Sequence, residues 1–261
     1  MKSPDKVTNH IINWLKDYIE KSKLNGFIVG VSGGVDSALT STLCAKTGYP
    51  VMCLEMPIHQ NKKQISNSSI QINWLKSNFS NVTSSEVNLS DVFDKFIDVT
   101  PDESDELINL ALANTKARLR MLTLYYFSTV SRYIVTGTGN KVEDFAIGFF
   151  TKYGDGGVDI SPIADLLKSE VFKLASHLNL PEEILSATPT DGLWNDNRSD
   201  EDQIGASYNE IEWAMNQKSN NTNSKLNNRE KDVIDILTNL NSKNKHKMIP
   251  IPICKIPKEF L

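Results

Sequence analysis

Residues Gly30-Val31-Ser32-Gly33-Gly34-Val35-Asp36-Ser37 are the densest group of chemically useful side chains in the sequence. They follow an apolar run, Phe27 to Val31, that reads as a short buried strand. They precede Ala38 to Lys46, which reads as a helix. Glycines in a strand–loop–helix turn let backbone N–H groups close on an anion, and the helix N-terminus adds the positive end of its dipole. The hydroxyls of Ser32 and Ser37 can donate to phosphate oxygens. Asp36 would repel a phosphate unless a cation lay between them, and Mg²⁺ resolves that conflict most simply. The loop is not a Walker A sequence, because no lysine follows its glycines, and it is not Gly-x-Gly-x-x-Gly.

Other polar residues stand where they could serve the same chemistry. Arg118 and Arg120 lie two apart on a predicted helix, so they point in different directions and can each meet a different anion. Thr138 follows an apolar run at the edge where α/β sheets bind ligands, and it also suits a helix N-cap. Glu143 is a carboxylate that again needs a cation if phosphate is near. Lys152, Asp155 and Asp159 sit in a stretch with Gly154, Gly156 and Gly157, which reads as an ordered functional loop or a lid that keeps water out. Lys168 is a mobile point charge suited to a phosphoryl group. No Ser-His-Asp or Cys-His pair stands out, so positioning and charge neutralisation are expected to matter more than a protein nucleophile.

Strands and helices alternate along the chain. Val7, Ile11, Leu15 and Ile19 mark an amphipathic first helix, read as stopped by Gly26. Val51 to Met56 reads as a second buried strand, Gln64 to Phe79 as a helix and Val82 to Leu89 as a strand. Leu107 to Ser131 is a long helix, followed by an apolar strand from Tyr133 to Thr136. Phe149 to Asp159 and Pro189 to Asp202 read as loops, and Gln217 to Asn228 as a flexible surface linker. A last helix opens at Arg229, and Met248 to Pro257 should be extended. The alternation predicts an α/β fold: a doubly wound, mainly parallel sheet flanked by helices.

The 261 residues carry a net charge of −4, with 23% charged and 39% hydrophobic residues. That suits a globular chain with a sizeable core and argues against global disorder. The balance gives no basic footprint for nucleic acid. Cys44, Cys53 and Cys254 cannot form a disulfide framework and show no Cys-x-x-Cys spacing, so reduced thiols in a cytoplasmic protein are expected. No signal core is seen, and nothing approaches the ~18 consecutive apolar residues of a membrane span.

Ser-Gly-Gly-x-Asp-Ser after the first strand resembles the pyrophosphate loop of the PP-loop ATP pyrophosphatases. Asn114-Thr115-Lys116-Ala117-Arg118-Leu119-Arg120-Met121, Gly137-Thr138-Gly139-Asn140-Lys141-Val142-Glu143 and Phe150-Thr151-Lys152-Tyr153-Gly154-Asp155-Gly156-Gly157 narrow the likeness to the NAD synthetases. Pro162, Leu166, Lys168, Pro189-Thr190 and Asp200-Glu201 continue it in order, over roughly Tyr18 to Lys247. The resemblance implies a ligase that activates the carboxylate of deamido-NAD with ATP and Mg²⁺, releases pyrophosphate, and amidates the adenylate with ammonia. It implies that Gly30 to Ser37, Arg120, Thr138, Lys168 and Thr190 bind ATP. Tyr18, Arg118, Phe149, Lys152, Asp155, Asp159, His246 and Lys247 would bind the dinucleotide. Asp36 and Glu143 would hold the metal, and Asp36, Glu143, Lys168, Thr190 and Asp155 would serve catalysis.

One departure bears on the metal. The stretch between Glu143 and Gly148 holds one residue more than the family pattern, so counting from Gly137 selects Glu143 and counting back from Lys152 selects Asp144. Glu143 is preferred, and Asp144 stays open. Trp194 to Gly205 also departs from the usual form. A glutamine-dependent relative needs a separate amidase domain, and with the loop already at residue 32 there is no room for one. A single domain over 1–261, using ammonia and forming a homodimer, is therefore expected. Two other readings stand beside this one. A tRNA-modifying adenylating enzyme should carry a basic surface, and a nucleotide sensor has no need of Asp36, Glu143 and Lys168 together.

Overall fold

The strand before the glycine loop is the hinge of the architecture. In the computed structural model, which describes residues 1–60, 62–100, 107–190, 192–193, 198–220 and 226–261, β1 (Gly26–Gly30) pairs in parallel with β2 (Val51–Glu55) on one side. On its other side it pairs in parallel with β4 (Tyr133–Val135). β3 (Val82–Glu86) adds a further parallel strand outside β2, so the sheet order is β3-β2-β1-β4. The chain thus leaves β1 toward one edge and later returns to its other side. Loops that follow β1 and β4 diverge there, which opens a crevice at the carboxyl ends of these two strands.

Side chains of β1 alternate between two cores, as a strand buried on both faces requires. Phe27 and Val29 pack with Ile11, Leu15 and Ile19 of α1 (Pro4–Ser22), Leu39 and Leu43 of α2 (Val35–Lys46), and Val171 and Leu174 of α6 (Lys168–His177). Ile28 and Leu54 pack on the other face, with Phe93 of α4 (Ser90–Val99) and Leu119 and Leu124 of α5 (Leu107–Ser131). Each fully buried Leu, Ile or Phe contributes about 1.5–3 kcal/mol of transfer free energy. A third cluster joins a π-helix (Lys141–Ile147) to α9 (Tyr208–Asn220) and α10 (Asn228–Met248) through Val142, Ile147, Ile211, Ala214, Val233 and Leu237. It forms the far wall of the crevice. α3 (Lys62–Asn78), α7 (Glu182–Leu185) and α8 (Asp200–Ile204) complete the described helices.

Several boundaries differ from the sequence reading. α1 ends at Ser22, with Lys23 left-handed at φ 56°, and Gly26 opens β1 instead of stopping the helix. A Cβ on Gly26 would lie 2.3 Å from the Pro50 carbonyl oxygen, which explains the glycine by close approach. β3 stops at Glu86, where its pairing with β2 ends, and α4 begins at Ser90. The apparent linker from Gln217 is shorter than read, because α9 continues to Asn220 and Asn227 caps α10 by accepting from the Glu230 N–H at 2.9 Å. Residues 221–225 of that linker and 194–197 of the departing segment lie outside the described residues.

Candidate active site

The glycine loop is closed by its own serines. Ser37 Oγ donates to the Gly34 carbonyl at 3.0 Å and accepts from the Ser32 N–H at 3.2 Å, and Ser32 Oγ accepts from the Gly34 N–H at 3.3 Å. Gly33 adopts φ +82°, and a Cβ there would meet Ser68 N and Asn67 Cβ at 2.8 Å. Position 33 thus needs glycine on both conformational and packing grounds. The N-terminal residues of α2 line a cleft of about 300 Å³. Every residue from Gly30 to Ser37 lines that cleft, as do Arg120, Thr138, Lys168 and Thr190.

A charged cluster joins Asp36 of the loop to Lys168 and Glu143. Lys168 Nζ donates to Asp36 Oδ2 at 2.6 Å and to Glu143 Oε1 at 2.9 Å, with side-chain exposures of 3%, 17% and 16%. Asn140 Nδ2 donates to Asp36 Oδ1 at 2.9 Å. Tyr208 Oη donates to Glu143 Oε1 at 2.6 Å. Burial alone would discharge Lys168, but Asp36 and Glu143 outweigh it and hold the ammonium well above the usual lysine range. Burial raises Asp36 more strongly than Lys168 lowers it, so its carboxyl lies above the usual range. For Glu143 burial also pushes upward, but Lys168 and the Tyr208 hydrogen bond prevail and hold it below. Lys168 is the first residue of α6, where the helix dipole disfavours a cation, so the two carboxylates offset that cost as well.

Glu143 and Asp144 both lie on the π-helix Lys141–Ile147, whose turns are wider than those of an α-helix. Glu143 and Asp144 are adjacent in sequence, yet both line the cleft. Asp144 lies over Gly139, so close that a Cβ on Gly139 would collide with its carboxyl. Burial, then Glu143, Asp155 and Asp36, raise the Asp144 carboxyl well above its ordinary range. Of the two, only Glu143 is joined to Lys168 and, through it, to Asp36.

The remaining predicted residues fall into two groups. Phe149 and Asp155 line the cleft, and Asp155 Oδ1 accepts the Thr151 N–H at 2.9 Å. Tyr18, Arg118, Lys152, Asp159, His246 and Lys247 do not line it. Four of these nevertheless meet beside the glycine-rich loop. Arg118 donates to the Lys152 carbonyl at 3.4 Å, and Lys152 Nζ donates to the His246 carbonyl at 2.7 Å. Lys247 Nζ donates to the Gly148 and Phe150 carbonyls at 3.0 and 2.8 Å. Arg120 and Arg118 do diverge, one into the cleft and one outward. Asp159 fastens the loop to the sheet, accepting from Tyr125 Oη and the Val135 N–H, both at 2.9 Å. Tyr18 is 38% exposed on α1, beside Trp14. Thr190 Oγ1 donates to the Arg198 carbonyl at 3.1 Å.

Among the described residues no group of three or more His, Cys, Asp or Glu is arranged to hold a metal. Asp36 and Glu143 nevertheless offer two carboxylates on the cleft wall. One or two carboxylates, with phosphate oxygens and water supplying the rest, is the protein share that magnesium takes. The donor set therefore fits Mg²⁺ bound together with a nucleotide. Sequence reasoning missed Asn140 and Tyr208 as partners of these carboxylates. Asn140 lies within a quoted motif, whereas nothing in the sequence around Tyr208 marks it.

A sequence model of the family described as NAD synthase matches residues 7–250. The NH(3)-dependent NAD(+) synthetase of Carboxydothermus hydrogenoformans is 40% identical over 211 residues, covering 78% of this chain and 82% of that one. Among solved structures, the NMN synthetase of Francisella tularensis superposes with a TM-score of 0.85 at 29% identity, covering 99% of this chain and 100% of that one. The NH3-dependent NAD synthetase of Campylobacter jejuni gives 0.78 at 27% identity, covering 97% and 100%.

Proposed function

The chain belongs to the NAD synthase family, and on that premise we propose that it is a ligase that amidates deamido-NAD to NAD with ATP and ammonia. The observation that carries the reading is the meeting of Asp36, Glu143 and Lys168 at the mouth of the glycine loop. A carboxylate is a poor acyl electrophile. In the first step a nicotinate carboxylate oxygen attacks the α-phosphorus of ATP and pyrophosphate leaves, which gives a mixed anhydride with AMP. In the second step ammonia attacks the acyl carbon, the C–O bond to AMP breaks, and the nitrogen loses a proton.

The chain's own residues supply position and charge. The loop N–H groups and α2 N-terminus cradle the phosphates. Lys168 leaves its carboxylate partners for a phosphate oxygen as charge builds on pyrophosphate. Asp36 and Glu143 would hold Mg²⁺, which when bound neutralises phosphate charge. Arg120 steadies the nucleotide from α5. The loop from Phe149 to Asp159 keeps water from the anhydride, and Asp155 on it faces the incoming ammonia. Residues 1–261 act as one catalytic domain in the cytoplasm. Among the described residues no helix is long and apolar enough to cross a membrane.

The protein is further proposed to act as a homodimer. Leu122, Tyr126 and Val130 are 62%, 64% and 68% exposed and recur every fourth residue on α5, an apolar stripe of the kind a second copy covers. Light scattering on Leu122→Asp should then give a smaller mass than wild type. An unchanged mass would move the interface elsewhere.

The likeness to an NMN synthetase over the full chain favours one second reading, in which the acceptor is the mononucleotide and not the dinucleotide. The chemistry at the nicotinate carboxylate is the same. Parallel assays with deamido-NAD and nicotinate mononucleotide, each with ATP, Mg²⁺ and ammonium, decide between them by the ratio of kcat/KM. A ratio favouring the mononucleotide would replace the first reading.

A further inference from the structure

Tyr208 stands behind the charged cluster and does not line the cleft. Its side chain joins two environments. The ring belongs to the apolar cluster of the π-helix, α9 and α10, and the residue is only 7% exposed. The hydroxyl donates to Glu143 Oε1 at 2.6 Å and lies 3.3 Å from Asp200 Oδ2. The ring face also lies under Lys168 Nζ, 4.9 Å from the ammonium to the ring centroid, within the range of a cation–π contact. The backbone is fixed as well: the Tyr208 N–H donates to Glu201 Oε1 at 2.8 Å.

One oxygen of Glu143 therefore receives two donors, Lys168 and Tyr208. A lysine that must exchange a carboxylate for a phosphate oxygen would leave that oxygen half satisfied. A hydroxyl on a buried ring has no such freedom. It keeps the carboxylate oriented while the ammonium shifts.

We propose that Tyr208 is a positioning residue for this site: its hydroxyl fixes the Glu143 carboxylate and its ring face seats the Lys168 ammonium, so that both stay aimed at the phosphate-binding loop. This rests on the nucleotide-ligase reading of the cleft given above. Tyr208 acts through Glu143, so its effect should depend on that carboxylate, whereas a merely structural effect should not.

The test is a double-mutant cycle of Tyr208→Phe and Glu143→Gln, each variant measured for Mg·ATP affinity by calorimetry and for kcat and KM with deamido-NAD and ammonium. Tyr208→Phe keeps the ring, so the fold is retained. In the wild-type background it should lower kcat about 10-fold, the scale of one hydrogen bond to a charged group, with KM for the dinucleotide within about two-fold. It should weaken Mg·ATP binding about 5-fold. In the Glu143→Gln background the same change should cost less than about two-fold in binding. Equal losses in both backgrounds, or no loss in either, overturn the proposal. Wild-type protein that makes no amide product overturns the functional reading instead, and the binding cycle, which needs no acceptor, still decides the role of Tyr208.

Discussion

Lys168 Nζ lies 2.6 Å from Asp36 Oδ2, tying the glycine loop to the start of a helix 132 residues further along the chain. The pair places a buried ammonium where the helix dipole opposes it and a carboxylate where phosphates are expected. Each charge is tolerated because the other is there. If Lys168 binds phosphate as proposed above, a nucleotide would have to compete with Asp36 and Glu143 for it.

Replacing Lys168 by Met should therefore do more than stop turnover. It leaves Asp36 and Glu143 without their shared cation, at a cost of about 3 kcal/mol in unfolding free energy, the scale of breaking a buried pair. Adding Asp36→Asn should restore most of that stability and none of the activity. Urea unfolding of the single and double variants checks this. A Lys168→Met protein as stable as wild type would show that the cluster is not electrostatically closed.

Asp36→Ala tests the opposite side of the pair. The fold should persist, because Lys168 keeps its ion pair with Glu143 when Asp36 is removed. Turnover should fall at least ~10²-fold, as when one preorganised electrostatic contact is lost. Near-normal steady-state rates would remove the metal-holding role from Asp36.

Gly33→Ala should be costly in a way that no side-chain contact reveals. The residue sits at φ +82°, and an added Cβ would press on Ser68 N and Asn67 at 2.8 Å. A destabilisation of about 1–2 kcal/mol is expected. ATP affinity should drop with it, because the loop N–H groups are displaced. Calorimetry showing unchanged ATP binding would separate the loop from the phosphates.

A pH-dependent contribution is expected far from the cleft. The Arg229 hydrogen bonds, with those from Ser207, hold the Glu210 carboxyl down at about 2, below its ordinary value of 4.5. A carboxyl depressed on folding stabilises the protein above its unfolded value, and that contribution is lost as pH falls toward the folded value. Arg229→Gln should therefore lower the urea midpoint at pH 7 and lower it less at pH 3. A gap that grows on acidification would contradict the assignment.

Much of the sheet was legible because its strands are short apolar runs between glycine and proline signals, and the long helix that ends at Ser131 was legible as a helix with that end. α4 was not, because Ser90 to Val99 follows β3 after only three residues and its start carries no distinctive cap. At the site, the glycine loop could be read from local spacing, whereas spacing showed only that Arg118 and Arg120 diverge and the assignment of Arg120 to the nucleotide came from the resemblance. Lys168 could not be read as buried, since its burial comes from carboxylates on two distant elements. The choice between Glu143 and Asp144 was undecidable by counting, because a π-helix lets both reach the cleft. Tyr208 was illegible for the same reason as Lys168: its partners are tertiary, 65 residues away in the case of Glu143.

The most direct measurement uses purified protein with ATP, Mg²⁺ and deamido-NAD, supplied with ammonium or with glutamine, while NAD and AMP are followed together. NAD should appear with ammonium alone, one AMP for each NAD. AMP without NAD would keep the nucleotide chemistry but assign another acceptor, and an absence of ATP cleavage with every acceptor would contradict the ligase account.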